Sequence, residues 1–239
     1  MLDQYLERAW TEGAPEAQYP FDLPAVRALA TGGLAFHPKV TYLVGENGSG
    51  KSTLLEALAV ALGFNAEGGT RNFDFATRES HSGLHEYLRV ARPRPIHHGF
   101  FFRAESFYNV ATEIDSRDLA EFYGGRSLHE RSHGEAFLEL ARARFGVPGV
   151  YLLDEPEAAL SPARQLNILS IMDQAIADGA QFVIATHSPI LLAYRDAWIY
   201  TLDATGPRRT TYDQAEPVQL TRTFLADPAR VLHYLLEDD

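Results

Sequence analysis

The chain has 239 residues, of which 46% are hydrophobic, enough for one well-filled core. It contains no cysteine, which excludes disulfides, thiolate zinc sites and cysteine nucleophiles and leads to the expectation of a reducing, cytoplasmic setting. The formal charge is -11, and Lys39 and Lys51 are the only lysines, which argues against a broad nucleic-acid-binding surface; Arg89, Arg92 and Arg94 form a local cluster that reads first as a solvated loop.

The first thirty residues are mixed and acidic, without a basic stretch leading into an apolar run, and no 18-residue apolar stretch follows anywhere, so neither an export signal nor a membrane span is expected. VTYLVGENGSGKSTLLEALAVALGF predicts a strand, a glycine-rich loop and a helix, because Leu54, Leu55, Leu58 and Leu62 recur at helical spacing. Residues 64–96 are rich in Gly, Arg, Asn, Ser and His with weak periodicity, and are expected to be an insertion, part loop and part helix. HHGFFFRAESF predicts a strand running out into a loop. GVYLLDEP and AQFVIATHSP predict two further buried strands, separated by the helix of SPARQLNILSIMDQAIADG. AWIYTLDATGPRRTTYDQ predicts two strands around a Gly-Pro turn, with helical pieces after it. Strands alternating with helices imply an α/β fold with a mainly parallel sheet covered on both faces. One domain over residues 1–239 is expected, with an insertion around 64–130 and no repeat or heptad run.

Residues 45–52, GENGSGKS, fit G-x-x-x-x-G-K-[ST] between a predicted strand and a predicted helix, as that motif requires. Glycines let backbone N–H groups turn inward around phosphate oxygens, and the helix N-terminus adds its partial positive charge. In that chemistry Lys51 neutralises the β- and γ-phosphates and Ser52 ligates magnesium. VYLLDEPEAALSP then places Asp154 and Glu155 at the end of a buried strand, where a doubly wound sheet gathers its ligands. Asp154 is suited to hold magnesium, directly or through water, and Glu155 to act as general base. His187, in THSP after the next strand, is expected at the same edge of the sheet, in reach of the γ-phosphate or the attacking water.

SLHERSHGEAF, residues 127–137, supports two chemistries. As H-E-x-x-H, His129 and His133 would hold zinc on one helical face with Glu130 as general base. From Ser132 onward, S-H-G-E is a segment of the kind that caps a helix and contacts phosphate. Gly134 makes a poor helix interior, and the third zinc ligand would have to be Glu155 or Glu157, the first of which already belongs to the carboxylate pair. His81 with His85, and His97 with His98, lack a third partner and read as surface or structural residues.

Taken in order, GENGSGKS, SHGE, LLDEPEAALSP and IATHSP resemble the nucleotide-binding domain of ABC-type ATPases. More narrowly, they resemble the stand-alone bacterial AAA-family ATPases with a RecF/SMC-like head. The similarity runs from about residue 21 to the C-terminus. It implies a P-loop NTPase fold with helices on both faces of the sheet and a smaller antiparallel β portion. It implies Mg-dependent ATP binding and hydrolysis, with nucleotide held by Gly45, Glu46, Asn47, Gly48, Ser49, Gly50, Lys51, Ser52 and Thr53, magnesium at Ser52 and Asp154, and Glu155 and His187 in catalysis. Ser132 stands 22 positions before Asp154 and His187 stands 33 after it, matching the order of the family's signature and switch histidine. Carried over, Ser132, Gly134 and Glu135 contact the γ-phosphate of ATP bound to a second copy, in a head-to-tail, ATP-dependent homodimer.

Several positions depart from the transporter form of that family. Arg131 and His133 replace a leucine and a glycine of the signature, Ser161 replaces an aspartate, and no glutamine-bearing loop is evident, which leaves Glu105 or Ser106 in its place. Tyr19 or Phe21 is the candidate for stacking on adenine, with core packing as the other reading of each. The resemblance implies an unidentified protein partner. An ATP-binding subunit of a membrane transporter and a nucleotide-dependent DNA-maintenance or phage-defence module are the alternatives, and nucleic-acid binding has no positive support in the sequence.

Overall fold

Strands β1 (Arg8–Thr11), β2 (Leu34–Ala35), β3 (Val40–Val44), β4 (Leu88–Ala91), β5 (Gly99–Arg103), β6 (Val150–Asp154), β7 (Gln181–Ala185), β8 (Ala197–Asp203) and β9 (Gly206–Thr210) form two sheets in the computed structural model. The structure describes residues 4–15, 18–70, 82–107, 109, 112 and 132–236. The main sheet is six-stranded in the order β5-β6-β7-β3-β8-β9, parallel from β5 through β8 and closed by antiparallel β9. The second is a three-stranded antiparallel sheet in the order β2-β1-β4.

Every residue of β3, β6 and β7 is buried, which is why these strands read as continuous apolar runs rather than alternating ones. Successive side chains nevertheless point to opposite faces. Tyr42, Phe100, Phe102, Tyr151 and Phe182 enter one core, whereas Leu43, Phe101, Leu152 and Val183 enter the other. The first core is covered by helices α4 (His133–Arg144) and α5 (Pro162–Ala177), and the second by α1 (Pro24–Thr31), α2 (Lys51–Ala61) and the small sheet. Phe102 and Phe137 pack with ring centroids 4.0 Å apart, fixing α4 onto β5. Truncating either buried ring would cost about 3–5 kcal/mol. Short α3 (Leu84–Tyr87) leads into β4, α6 (Pro189–Leu192) follows β7, and α7 (Glu216–Ala226) and α8 (Pro228–Leu236) end the described chain.

The register brings the C-terminal ends of four parallel strands to one edge. Arg103 pairs with Asp154, Asp154 with Ala185, and Leu43 with Ala185. At the opposite edge the buried Gln181 amide accepts from the N–H groups of Tyr5 and Leu6 and donates to the carbonyls of Leu6 and His37, tying the N-terminal segment to the main sheet. All of its capacity is used inside the protein, as a buried amide requires.

Two local expectations need correction, and two strands are added. Residues 64–96 hold a strand, β4, besides loop and helix, and β1 and β2 lie in stretches that carry no strand signal. The turn between β8 and β9 is made by Ala204 and Thr205 rather than by Gly-Pro. The Asp203 carboxylate accepts from the Thr205 N–H at 2.8 Å and closes that turn, and Gly206 opens β9 at φ 103. A Cβ there would lie 2.9 Å from the Ala28 Cβ, so the close packing of α1 on β9 selects glycine.

Candidate active site

The loop of residues 45–50 leaves β3 and turns straight into α2, with Gly50 at φ 95 as its N-cap and no side chain capping the helix. The left-handed conformation favours glycine there, and the first amide groups of α2 are left without a side-chain cap at a helix N-terminus, the arrangement that receives phosphate. Lys51 is buried, and its Nζ donates to the carbonyls of Gly45 (2.8 Å) and Glu46 (3.1 Å). Burial lowers its pKa, while Glu155, Asp154 and Glu157 act in the opposite direction, so the ammonium faces three carboxylates. Glu46, Asn47 and Gly48 are exposed, Ser49 and Thr53 are half-buried, and the Ser52 hydroxyl donates to Asp154 Oδ1 at 2.9 Å.

Asp154 ends β6 with its side chain buried. Burial pushes its carboxyl up to about 6, against the pull of the Ser52 hydroxyl and of Arg103, whose Nε lies 3.6 Å away. A buried carboxylate paired with a serine hydroxyl, both hard oxygen donors, fits a magnesium ion that completes its shell with phosphate and water. Glu155 adopts φ 49 and ψ 52, a left-handed conformation costing a non-glycine residue on the order of 1 kcal/mol. Its N–H still bonds the Ala185 carbonyl at 2.9 Å, and the turn directs its carboxylate to 3.8 Å from His187 Nε2. The structure thus brings Lys51, Ser52, Asp154, Glu155 and His187 together, as the motif spacing predicts. A cleft of about 810 Å³ is lined by Gly45, Glu46, Asn47, Glu155, Glu157 and His187 together with residues of α7. A second, of about 260 Å³, is lined by Ser52, Glu105, His133, Asp154 and Glu155, among others.

Ser132 is the N-cap of α4, and with Glu135 it forms a capping box. The Glu135 N–H donates to Ser132 Oγ, and the Glu135 carboxylate accepts from the Ser132 N–H at 3.2 Å and hydroxyl at 2.8 Å. The Arg164 guanidinium closes the cluster, 3.1 Å from Ser132 Oγ and 2.9 Å from Glu135 Oε1. The Ser132 hydroxyl, then the Ser132 backbone and Arg164, hold the Glu135 carboxyl below its usual range. Gly134 is buried, and a Cβ on it would come within 2.8 Å of the Ala159 carbonyl, so glycine here permits α4 to approach the turn after Glu155. The extended backbone of Ser132 (φ -63, ψ 149) interrupts any helix running through residues 129–133, which removes the single face a zinc site of the H-E-x-x-H type needs. His129, Glu130, Arg131 and His81 lie outside the described residues.

The paired alternatives also separate. Phe21 is core, packed edge-on against Tyr87, whereas Tyr19 is 65% exposed with its hydroxyl 3.4 Å from Thr53 Oγ1. Ser106 Oγ bonds the Glu67 carbonyl, while Glu105 lines the cleft beside Ser52 and Asp154. Ser161 is the N-cap of α5, its hydroxyl accepting from the Arg164 N–H. Sequence reasoning missed Arg103, which sits between Asp154 and Glu56, 2.8 Å from the Glu56 carboxylate. Its signal was present: FFFR ends a buried strand on a charge just as VYLLD does. It also missed His133 and α7 as cleft walls.

Residues 26–108 match a family described as "AAA domain", and residues 136–193 match one described as "AAA domain, putative AbiEii toxin, Type IV TA system". The hemin import ATP-binding protein HmuV of Ruegeria sp. (strain TM1040) is 34% identical over 168 residues, covering 60% of this chain and 62% of that protein. The thiamine import ATP-binding protein ThiQ of Cereibacter sphaeroides is 29% identical over 204 residues, covering 77% of this chain and 87% of that protein. The chain spans less than two thirds of HmuV and 30% of the macrolide export ATP-binding/permease protein MacB of Rhodopseudomonas palustris, to which it is 27% identical. Among solved structures, an ATP-binding subunit of an ABC transporter superposes with a TM-score of 0.51 at 18% identity over 98% of this chain and 99% of that one. CbiO1 of Clostridium perfringens does so with a TM-score of 0.50 at 19% identity over 97% and 99%. At such identities these two superpositions speak to the fold alone. The two AAA-domain matches and the import relatives support an ABC-type ATPase head, and the superpositions, taken with the phosphate loop and the mainly parallel sheet, show a P-loop NTPase fold.

Proposed function

We propose that the chain binds Mg-ATP against the loop of residues 45–50 and hydrolyses it to ADP and phosphate. The observation that carries this reading is the meeting of Lys51, the Ser52–Asp154 pair at 2.9 Å, and the Glu155–His187 pair at 3.8 Å at one sheet edge. Lys51 exchanges its loop carbonyls for phosphate oxygens, and Ser52 and Asp154 hold the metal. Bound magnesium supplies charge neutralisation on the β- and γ-phosphates. Glu155 accepts the proton of the attacking water, and His187, beside it, orients that water. Tyr19 stacks on the base from its exposed position next to Thr53. Residues 1–239 act as one ABC-type domain with the insertion around 64–130 as its variable part, in the cytoplasm.

Ser132, Gly134 and Glu135 serve a nucleotide held by a second copy, so the working form is a head-to-tail dimer closed by ATP. A second reading, an ATP-binding subunit coupled to a membrane partner, is favoured by the names of the import and export relatives. No helix among the described residues is long and apolar enough to cross a membrane, so that reading places the span outside them. The test is ATP binding by equilibrium dialysis and mass measurement by light scattering. Lys51→Ala should lose ATP binding, and Glu155→Gln should bind ATP and accumulate as dimer. Tight binding by the first, or hydrolysis at the parent rate by the second, would overturn the assignment.

A further inference from the structure

Two residues after Glu155, in the 3-10 turn Pro156–Ala159, Glu157 makes a contact that the phosphate and carboxylate motifs do not require. Its Oε1 accepts the main-chain N–H of His187 at 2.6 Å, across 30 positions of sequence. A carboxylate acceptor at that length makes a charge-assisted bond, about twice as strong as a neutral one. The neighbouring bonds give it direction. The Glu155 N–H bonds the Ala185 carbonyl at 2.9 Å, and the Thr186 N–H bonds the Leu43 carbonyl at 3.1 Å. The segment carrying His187 is therefore gripped by the turn after β6 on one side and by β3 on the other, with its imidazole 3.8 Å from Glu155. The second oxygen of Glu157 is buried and finds no hydrogen-bond partner, and the residue also lines the larger cleft. Burying half of a carboxylate without a partner costs free energy, which the short bond to the His187 N–H offsets, so that bond fixes where the side chain sits.

We propose that Glu157 is a positioning residue of the hydrolytic site: its carboxylate clamps the His187 main chain and thereby sets the imidazole against Glu155. This rests on the hydrolase reading above. A clamp of this kind works on the chemical step, whereas the charge of Glu157, which faces Lys51 and lines the same cleft as the phosphate loop, acts on affinity and is lost equally in a Gln or an Ala variant.

The experiment uses Glu157→Gln, which keeps a carbonyl oxygen for the His187 N–H, and Glu157→Ala, which removes it. In nucleotide-free protein, the His187 amide proton is expected far downfield in the parent, less so in the Gln variant. In the Ala variant it should move upfield and exchange with solvent at least about tenfold faster. With Mg-ATP, the Ala variant should lose about tenfold or more in kcat, the Gln variant should stay within about threefold of the parent in kcat, and the two should share the same KM because both lose the charge facing Lys51. In a His187→Ala background, Glu157→Ala should cost nothing further. Parent-like kcat in the Ala variant, a full additional loss in the His187→Ala background, or a Gln variant as impaired as Ala would overturn the clamp. If the Ala variant does not fold, the Gln variant carries the test through its His187 amide shift and its kcat. A parent protein that binds ATP and hydrolyses none refutes the hydrolase reading, and the amide measurement still decides whether Glu157 holds His187.

Discussion

Replacing Glu155 by glycine should make the protein more stable while abolishing hydrolysis. At φ 49 and ψ 52 the glutamate sits in the left-handed well, which costs an L-residue about 1–2 kcal/mol and glycine essentially nothing. Glycine's greater freedom in the unfolded chain takes back about 0.4–1 kcal/mol. The contact given up is small: the Glu155 carboxylate and the His187 ring lie 3.8 Å apart on side chains 41% and 35% exposed, a setting worth under about 1 kcal/mol. The backbone bond to Ala185 is kept. A few tenths of a kcal/mol of stabilisation remain over the parent, and about 0.5–1 kcal/mol over a variant that loses the same contact but keeps the strain, or about 1–4 °C in melting temperature for a chain of this size. Glu155→Gln is the control, because it removes the same charge and retains the strained backbone. Differential scanning calorimetry of the three nucleotide-free proteins at pH 7.5 decides the matter. A glycine variant that melts at or below the glutamine variant would show that this turn stores no backbone strain.

Asp154 makes a prediction in pH. Its carboxyl is raised from 3.8 to about 6, chiefly by burial, so between those values the folded protein holds a proton that the unfolded chain has released. Stability therefore falls as pH rises through that window and stays lowered above it, by about 3 kcal/mol for a shift of this size. Asp154→Asn, measured by urea unfolding without magnesium, should exceed the parent in stability at pH 8 and approach it at pH 4.5. An equal difference at both pH values would contradict burial as the cause. The two aromatic candidates should also part. Tyr19→Ala is expected to weaken ATP binding with the melting temperature unchanged, and Phe21→Ala to cost about 3–5 kcal/mol of stability. Weakened binding in a stable Phe21 variant would reverse the assignment.

The parts legible in the sequence were those that one short segment can encode. The phosphate loop needs spaced glycines, a lysine and a serine within eight residues, and Lys51 is tied to the carbonyls of the same turn. The buried strands announce themselves because burial on both faces leaves no polar position in VYLLD before its last residue, or in QFVIA after its first. The capping box of Ser132 and Glu135 is likewise local, set by a spacing of three. Even the shared edge of Lys51, Asp154 and His187 followed from motif order, since parallel strands joined by right-handed crossovers present their C-terminal ends together.

What only the tertiary structure decided depends on partners far away in the chain. β1 is four residues long and β2 two, and they become strands because β4, some 80 positions after β1, pairs with β1. Tyr19 and Phe21 are equivalent as letters, and only the packing of Tyr87 against Phe21 leaves Tyr19 free beside Thr53. Gly134 belongs to the S-H-G-E segment, and only the fold adds that a Cβ on it would meet the Ala159 carbonyl, a demand of helix packing. Arg103 and Glu157 carry no motif, and they matter because the fold sets one beside Asp154 and the other under His187. Local backbone chemistry writes itself into adjacent residues. Charge compensation and positioning within a buried site depend on distances that only the closed sheet defines.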